Sequence, residues 1–272
     1  MQYLNGERPE EGTLAPMFYD NIEQKATLYE SSYWRYVVRS IYAAMYLAFG
    51  TTIAMMTAQL GNQVLPGSGK FLFAFFFAWT LVMIVYMHVE LGTANMLFMT
   101  VAVHKKYLPL KKALSILMTC VLFNLIGGII CAFIFSQSAI YQNLPSDHFL
   151  FTAVSAKFTK SAWTIFIEGI FANIIVATSL VATTRMKNAD GRVWSIIFII
   201  FIFAFCGFEH VIANFVSFPM AFFANGGPVE GMTLLSVAKN YVFTFLGNYV
   251  GGGLLIGWMY SWFSERPGTY ID

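Results

Sequence analysis

Apolar residues fall along this chain in long runs. Six of them, at 37–58, 71–98, 113–135, 162–184, 193–223 and 240–263, meet the ~20 residues a helix needs to cross a bilayer. The second and fifth are the longest, and each holds one acid, Glu90 and Glu209. An apolar stretch interrupted by an acid with Gly or Asn nearby reads as two half-helices around an unwound turn. Ahead of the first run, Leu14, Met17, Phe18, Asn21, Ile22, Lys25 and Leu28 predict an amphipathic helix over 14–30 lying on the membrane face.

The two interruptions repeat one another. Glu90-Leu91-Gly92-Thr93-Ala94-Asn95-Met96 is answered about 120 residues later by Glu209-His210-Val211-Ile212-Ala213-Asn214-Phe215. Asn124-Leu125-Ile126-Gly127-Gly128 is answered by Asn248-Tyr249-Val250-Gly251-Gly252. Paired interruptions in matching spans point to a duplicated transport protein with its site at the breaks. The expected architecture is an all-α membrane protein of six transmembrane helices. Residues 1–272 form a single membrane domain: 1–36 a cytoplasmic amphipathic segment, 37–135 the first repeat and 157–263 the second. Each half holds three spans, an odd number, so the second half enters the membrane inverted.

Composition agrees: 58% of residues are hydrophobic and only 11% charged, far from the roughly 25% charge of a soluble domain. Placement of the charges matters more than their sum. Arg8, Lys25, Arg35 and Arg39, then His104, Lys105, Lys106, Lys111 and Lys112, then Arg185, Lys187 and Arg192 cluster on one side. The other side has Lys70, Lys157, Lys160 and Lys239, so the positive-inside rule puts both termini in the cytoplasm. The first 30 residues hold six acids and no apolar core of a signal peptide. A net charge of +2 with no basic–aromatic stripe gives nucleic acid no footing. Cys120, Cys131 and Cys206 lie in apolar runs at no ligand spacing, which makes them core fillers, with neither metal nor cofactor expected.

His210 is the sharpest candidate for chemistry. It sits mid-span, where an ionisable group is costly and faces a cavity or a partner, and imidazole titrates nearest neutral pH. The plainer alternative is a neutral ring tying two helices together. Glu90 and Glu209 suit the capping of half-helix N-termini, with Asn95 and Asn214 tying the loops to neighbouring helices. His88 suits either a vestibule or a helix contact. Lys157 and Lys160 are either interfacial snorkels or cations that concentrate anions at a mouth. Glu168 has no evident role. Gly127-Gly128 and Gly251-Gly252-Gly253 allow close helix approach. Phe77, Leu81, Leu91 and Phe203 serve as core, or as a ring forming a dry constriction.

These motifs resemble those of the formate/nitrite transporter family. The resemblance rests on Gly207-Phe208-Glu209-His210-Val211-Ile212-Ala213-Asn214, on the Glu90–Met96 segment, on Glu168-Gly169-Ile170-Phe171-Ala172-Asn173 and on Gly247-Asn248-Tyr249-Val250-Gly251-Gly252. It implies an aquaporin-like protomer in a homopentamer, one pore per protomer, passing monovalent anions of weak acids: formate, nitrite, hydrosulfide, lactate or acetate. By the same resemblance His210 is the central pore histidine, Asn173 the asparagine bonded near it, and Lys157 the anion-attracting lysine with Asn248 its associate. Leu91 and Thr93 match the loop of the broken second span, and Phe77, Leu81 and Phe203 the constriction. Gly92 stands where the family has a bulky Phe at the cytoplasmic slit, which implies room for a larger acid such as lactate. Glu168 stands where Arg is frequent, and Ala94 replaces Gly.

The expected mechanism follows from solvation. A bare carboxylate is costly to carry through a dry constriction, whereas the protonated weak acid crosses as a neutral molecule. Passive, proton-linked traffic of small monocarboxylates results, with formate first. An aquaporin-like neutral-solute channel is the nearest rival, but its Asn-Pro-Ala loops are replaced by Asn95-Met96 and Asn214-Phe215. A hydrosulfide channel of the same family ranks lower. A membrane enzyme lacks a paired base for His210, because adjacent helix residues point about 100° apart.

Overall fold

The computed structural model describes residues 3–11 and 13–264, and among them the regular structure is helical throughout. Helix α1 (Ala15–Ser31) precedes α2 (Tyr33–Val64), α3 (Gly69–Tyr86), α4 (Gly92–His104) and α5 (Leu110–Ser136). The second half runs α6 (Phe149–Phe158), α7 (Ala162–Thr184), α8 (Ala189–Cys206), α9 (Val211–Ala224) and α10 (Leu234–Asn248). The last continues through a π-helical stretch, Tyr249–Trp258, into α11 (Met259–Phe263). Six of these rods are long and apolar enough to span a membrane: Tyr33–Val64, Gly69–Tyr86, Leu110–Ser136, Ala162–Thr184, Ala189–Cys206 and Leu234–Phe263. The chain is a multi-pass membrane protein.

The runs read at 71–98 and 193–223 are each two helices in the fold. Their second pieces, α4 of 13 residues and α9 of 14, are too short at ~1.5 Å per residue to cross a bilayer core alone. The same device stops both first pieces. Gly207 ends α8 in the left-handed conformation (φ 71°), with Gly207 N–H on Ala204 O and Phe208 N–H on Phe203 O. His88 ends α3 likewise (φ 49°), with His88 N–H on Val85 O and Val89 N–H on Ile84 O. Both are Schellman endings, in which a left-handed residue turns the chain off the helix axis. Each break then passes through its glutamate two residues on.

The halves also match where helices cross. A side-chain carbon on Gly127 would meet the backbone of Ile41 in α2, and one on Gly251 the backbone of Ile170 in α7. Small residues let these backbones touch, which drives helix association where no hydrophobic effect operates. On α5, Leu114, Met118, Leu122, Ile129 and Phe133 form a stripe 42–52% exposed in the single chain. Its opposite face (Leu117, Cys120, Asn124, Gly127, Cys131) is buried. An outward apolar stripe suits lipid or a second protomer.

Two short helices frame the site. The predicted amphipathic helix forms as α1 and buries Phe18, Tyr19, Ile22 and Ala26. Its neighbour α2 begins at Tyr33, so the first span starts inside the segment read as 1–36. Helix α6 stands before the second half as α1 stands before the first. The six apolar runs leave it out, since ten residues are too few to cross a bilayer.

Candidate functional site

Each break is clasped by one asparagine. Asn124 of α5 donates to Ser40 O (2.7 Å) and Glu90 O (3.0 Å), while its Oδ1 accepts from Gly92 N–H (2.8 Å). Asn248 of α10 donates to Gly169 O (2.8 Å) and Glu209 O (2.9 Å), while its Oδ1 accepts from Val211 N–H (2.9 Å). Both amides are fully buried. They satisfy the groups that unwinding frees, which a membrane interior requires. The capping role expected of Glu90 and Glu209 therefore falls to Asn124 and Asn248, with His210 also capping α9.

The glutamates hold lysines instead. Lys25 of α1 donates to Glu90 Oε2 at 2.7 Å, and Lys157 of α6 donates to Glu209 Oε2 at 3.0 Å. Asn95 bonds Glu90 and the Tyr36 hydroxyl; Asn214 bonds Glu209 and Asn240, as expected of asparagines tying the loops outward. The second cluster is larger. Lys160 reaches Glu209 Oε1 (2.7 Å) and also Glu168 (2.5 Å), which gives Glu168 a partner the sequence did not supply. Lys25 is the counterpart of Lys157, and neither it nor Tyr36, Asn124 and Asn240 is marked as a site residue by the sequence. The signal was there for Asn124, through the repeat. The helix-to-helix pairings were not.

His210 immediately follows Glu209, at the place Leu91 holds after Glu90. Its Nδ1 accepts the Ala213 N–H of α9 (3.2 Å), and its Nε2 lies 2.9 Å from Thr93 Oγ1. A nitrogen that accepts a backbone N–H carries no proton, so the proton of the neutral ring sits on Nε2 and points at Thr93. Asn173 donates to Thr93 O (3.3 Å) and Asn248 O (2.8 Å), not to the imidazole. It acts on His210 through the backbone of Thr93. Likewise Asn248 touches no lysine; the expected link to Lys157 is replaced by its clasp on the break.

Two cavities approach this histidine from opposite ends. One, about 520 Å³, lies beside α6 and is lined by Lys70, Lys157, Lys160, Glu168, Phe77, Phe203 and His210. The other, about 250 Å³, lies beside α1 and is lined by Lys25, Arg39, His88, Glu90, Leu91 and Leu81. Between them is a gap of about 20 Å³ walled by Leu47, Phe77, Leu81, Leu91, Val176, Phe203 and His210. Phe77, Phe203 and His210 border the α6-side cavity and the gap; Leu81 and Leu91 border the gap and the α1-side cavity. The rings of Phe203 and His210 stand 5.6 Å apart, those of Phe77 and Phe203 5.9 Å. The gap is about one water in size, and its one titratable group is His210.

Five expected pathway residues lie outside it. Thr93, Asn173, Asn248 and Glu209, all fully buried, line neither cavity nor gap and act from behind. Gly92 does not widen the slit. A carbon added there would meet Val121 (2.9 Å), Asn124 Oδ1 and Ile212 (both 3.1 Å), because the residue faces α5 and α9. Two consecutive residues of a turn face different neighbours, and here Leu91 is the one that faces the gap.

Two solvent-reaching cavities joined end to end through a narrow apolar gap, inside a multi-pass helical protein, define a membrane transport protein. A sequence profile described as formate/nitrite transporter matches residues 14–262, so the chain belongs to the formate/nitrite transporter family, whose members are transporters and not enzymes. It is 29% identical over 241 residues to an uncharacterized transporter, YwcJ, of Bacillus subtilis, covering 87% of this chain and 92% of that one. It is 27% identical over 228 residues to the nitrite transporter NirC of Escherichia coli, covering 84% and 82%. Among solved structures it is similar to an FNT family ion channel (TM-score 0.83, 23% identity, 92% of this chain and 98% of that chain). A pentameric formate channel with formate bound shares the fold (TM-score 0.75, 20% identity, 88% and 99%).

Proposed function

We propose that this protein carries small monocarboxylates, formate foremost, passively and with a proton, through the gap at His210. Nitrite, lactate and acetate belong to the same weak-acid class. The reading places the chain in the cell membrane as a homopentamer, with α1 and both termini on the cytoplasmic side. The observation that carries it is one imidazole in an apolar gap of about 20 Å³ between two cavities whose walls hold lysines. The excess of positive charge at each mouth draws the anion in, while the apolar walls refuse the charged form. A carboxylate that takes up a proton passes the gap as the neutral acid and ionises beyond it. The proton comes from water or from His210 Nε2, which shares it with Thr93. Family membership and the fold of a formate channel support the substrate class.

The test is uptake of radiolabelled formate into proteoliposomes under a proton gradient, with wild type beside His210→Phe. Acidifying the outside raises wild-type uptake, and His210→Phe loses nearly all of it while the oligomer stays intact on size exclusion. Near wild-type uptake in that variant makes the ring structural. Flux that follows the anion gradient alone makes the protein a plain anion channel.

A further inference from the structure

We propose that the α1-side cavity is a binding site for small, doubly charged oxyanions, such as dicarboxylates or phosphate, which dock there and block the gap from that face. The binding half of this inference stands on the cavity alone; the block rests on the transport reading above. Three cations, Lys25, Arg39 and Arg192, face about 250 Å³ of space against one carboxylate, Glu90. Lys25 is committed to that carboxylate at 2.7 Å. The two guanidinium groups have no ion-pair or hydrogen-bond partner among the described residues, and Arg192 Nε is buried and unpaired. Tyr86 stacks under the Arg192 fork, 5.6 Å from its central carbon, and so holds it in place.

An arginine fork matches a carboxylate or a phosphate edge with two parallel N–H bonds. Two free forks leave the cavity with a balance of +2, which suits a dianion. Gln24 and His88 also line the cavity and add further polar groups. Size and charge then trap the guest. The space holds a molecule of several heavy atoms, but the gap beyond has about 20 Å³ and apolar walls. A dianion that takes up one proton is still charged, so the gap refuses it. The α6-side cavity offers no such pair of free forks. Lys157 and Lys160 are bound to Glu209 and Glu168, and Lys70 rests 5.1 Å over the Phe205 ring.

The experiment is titration calorimetry on the detergent-purified full-length oligomer, with succinate and with inorganic phosphate as probes. It is paired with formate flux in proteoliposomes holding succinate on one face at a time. Binding of either probe to wild type, weakened by about tenfold or more in Arg39→Gln/Arg192→Gln, supports the site. Binding of both shows that oxyanion charge suffices; binding of succinate alone shows that the spacing of two carboxylates matters. If the double glutamine variant does not assemble, Arg39→Lys and Arg192→Lys keep the charge and lose the fork, and weakened binding in either has the same meaning. No binding of either probe, or binding unchanged in the variants, overturns the site. Block from the α1 face alone supports the plug, whereas equal block from both faces or none overturns it. A protein that carries no formate but binds succinate through the arginines refutes the transport reading and leaves the site standing.

Discussion

At the scale of single residues, Thr93 is the strongest lever on His210 short of the ring itself. Its hydroxyl accepts the Nε2 proton at 2.9 Å in a fully buried setting. Thr93→Val keeps the volume and leaves that N–H unpaired, at a cost of about 1–3 kcal/mol. We expect formate uptake to fall by about tenfold in Thr93→Val and to stay near wild type in Thr93→Ser, read as initial rates at fixed protein content. A second expectation concerns His88, a non-glycine residue at φ 49° in the place where the other half uses Gly207. His88→Gly relieves a conformation that costs a side-chain-bearing residue about 1–2 kcal/mol. The thermal unfolding midpoint in detergent rises. The sequence singled out His210 correctly as a buried, costly group. That its partner is Thr93 and not Asn173 depended on which side of α4 faces α9, and a motif does not carry that information.

At the scale of elements, α1 is attached to the break by Lys25–Glu90, whose side chains are only 11% and 6% exposed. Removing one partner strands a buried charge, at about 3–5 kcal/mol. Lys25→Gln is expected to destabilise more than Lys25→Gln/Glu90→Gln, and a thermal-shift double-mutant cycle measures the difference. The crossing of α7 with the π-helical stretch has no slack at Gly251, where any side chain meets the backbone of Ile170. Gly251→Leu therefore yields no assembled oligomer on size exclusion, while Gly227→Ala, with open space around it, assembles normally. Helix pairing by small residues was legible in the repeated glycines. Helix α6 was not, because ten residues between two turns carry too little period to read.

For the whole molecule, the matching halves each place a lysine–glutamate pair and an asparagine clasp beside a shared gap, and the α6 side adds Lys160 and Glu168. On the proposed passive pathway, direction is left to the gradient. Collapsing the proton gradient with an uncoupler should therefore abolish formate accumulation without stopping equilibrative exchange, measured as isotope counterflow in the same vesicles. The symmetry is broken at two places. Leu91 and His210 occupy matching positions, so only one half brings a titratable group to the gap. The charges differ as well: Lys157 and Lys160 are bound to acids, while Arg39 and Arg192 have no acid partner among the described residues.

What the sequence alone determined is whatever a hydrophobic period and a repeated motif can encode: six spans, two breaks, the duplication, the family resemblance and a buried histidine. These are local properties, set by the requirement that a chain in lipid satisfy its backbone and hide its charges. Tertiary structure decided the direction each side chain faces. Gly92, read as an opening in the slit, packs against Val121 and Ile212, and its neighbour Leu91 faces the gap. Glu90 and Glu209, read as helix caps, bind lysines from α1 and α6, while asparagines from α5 and α10, together with His210, do the capping. Adjacent residues in a turn diverge by large angles, and their partners lie on helices far away in sequence. Neither fact leaves a trace in the order of residues until the helices are packed.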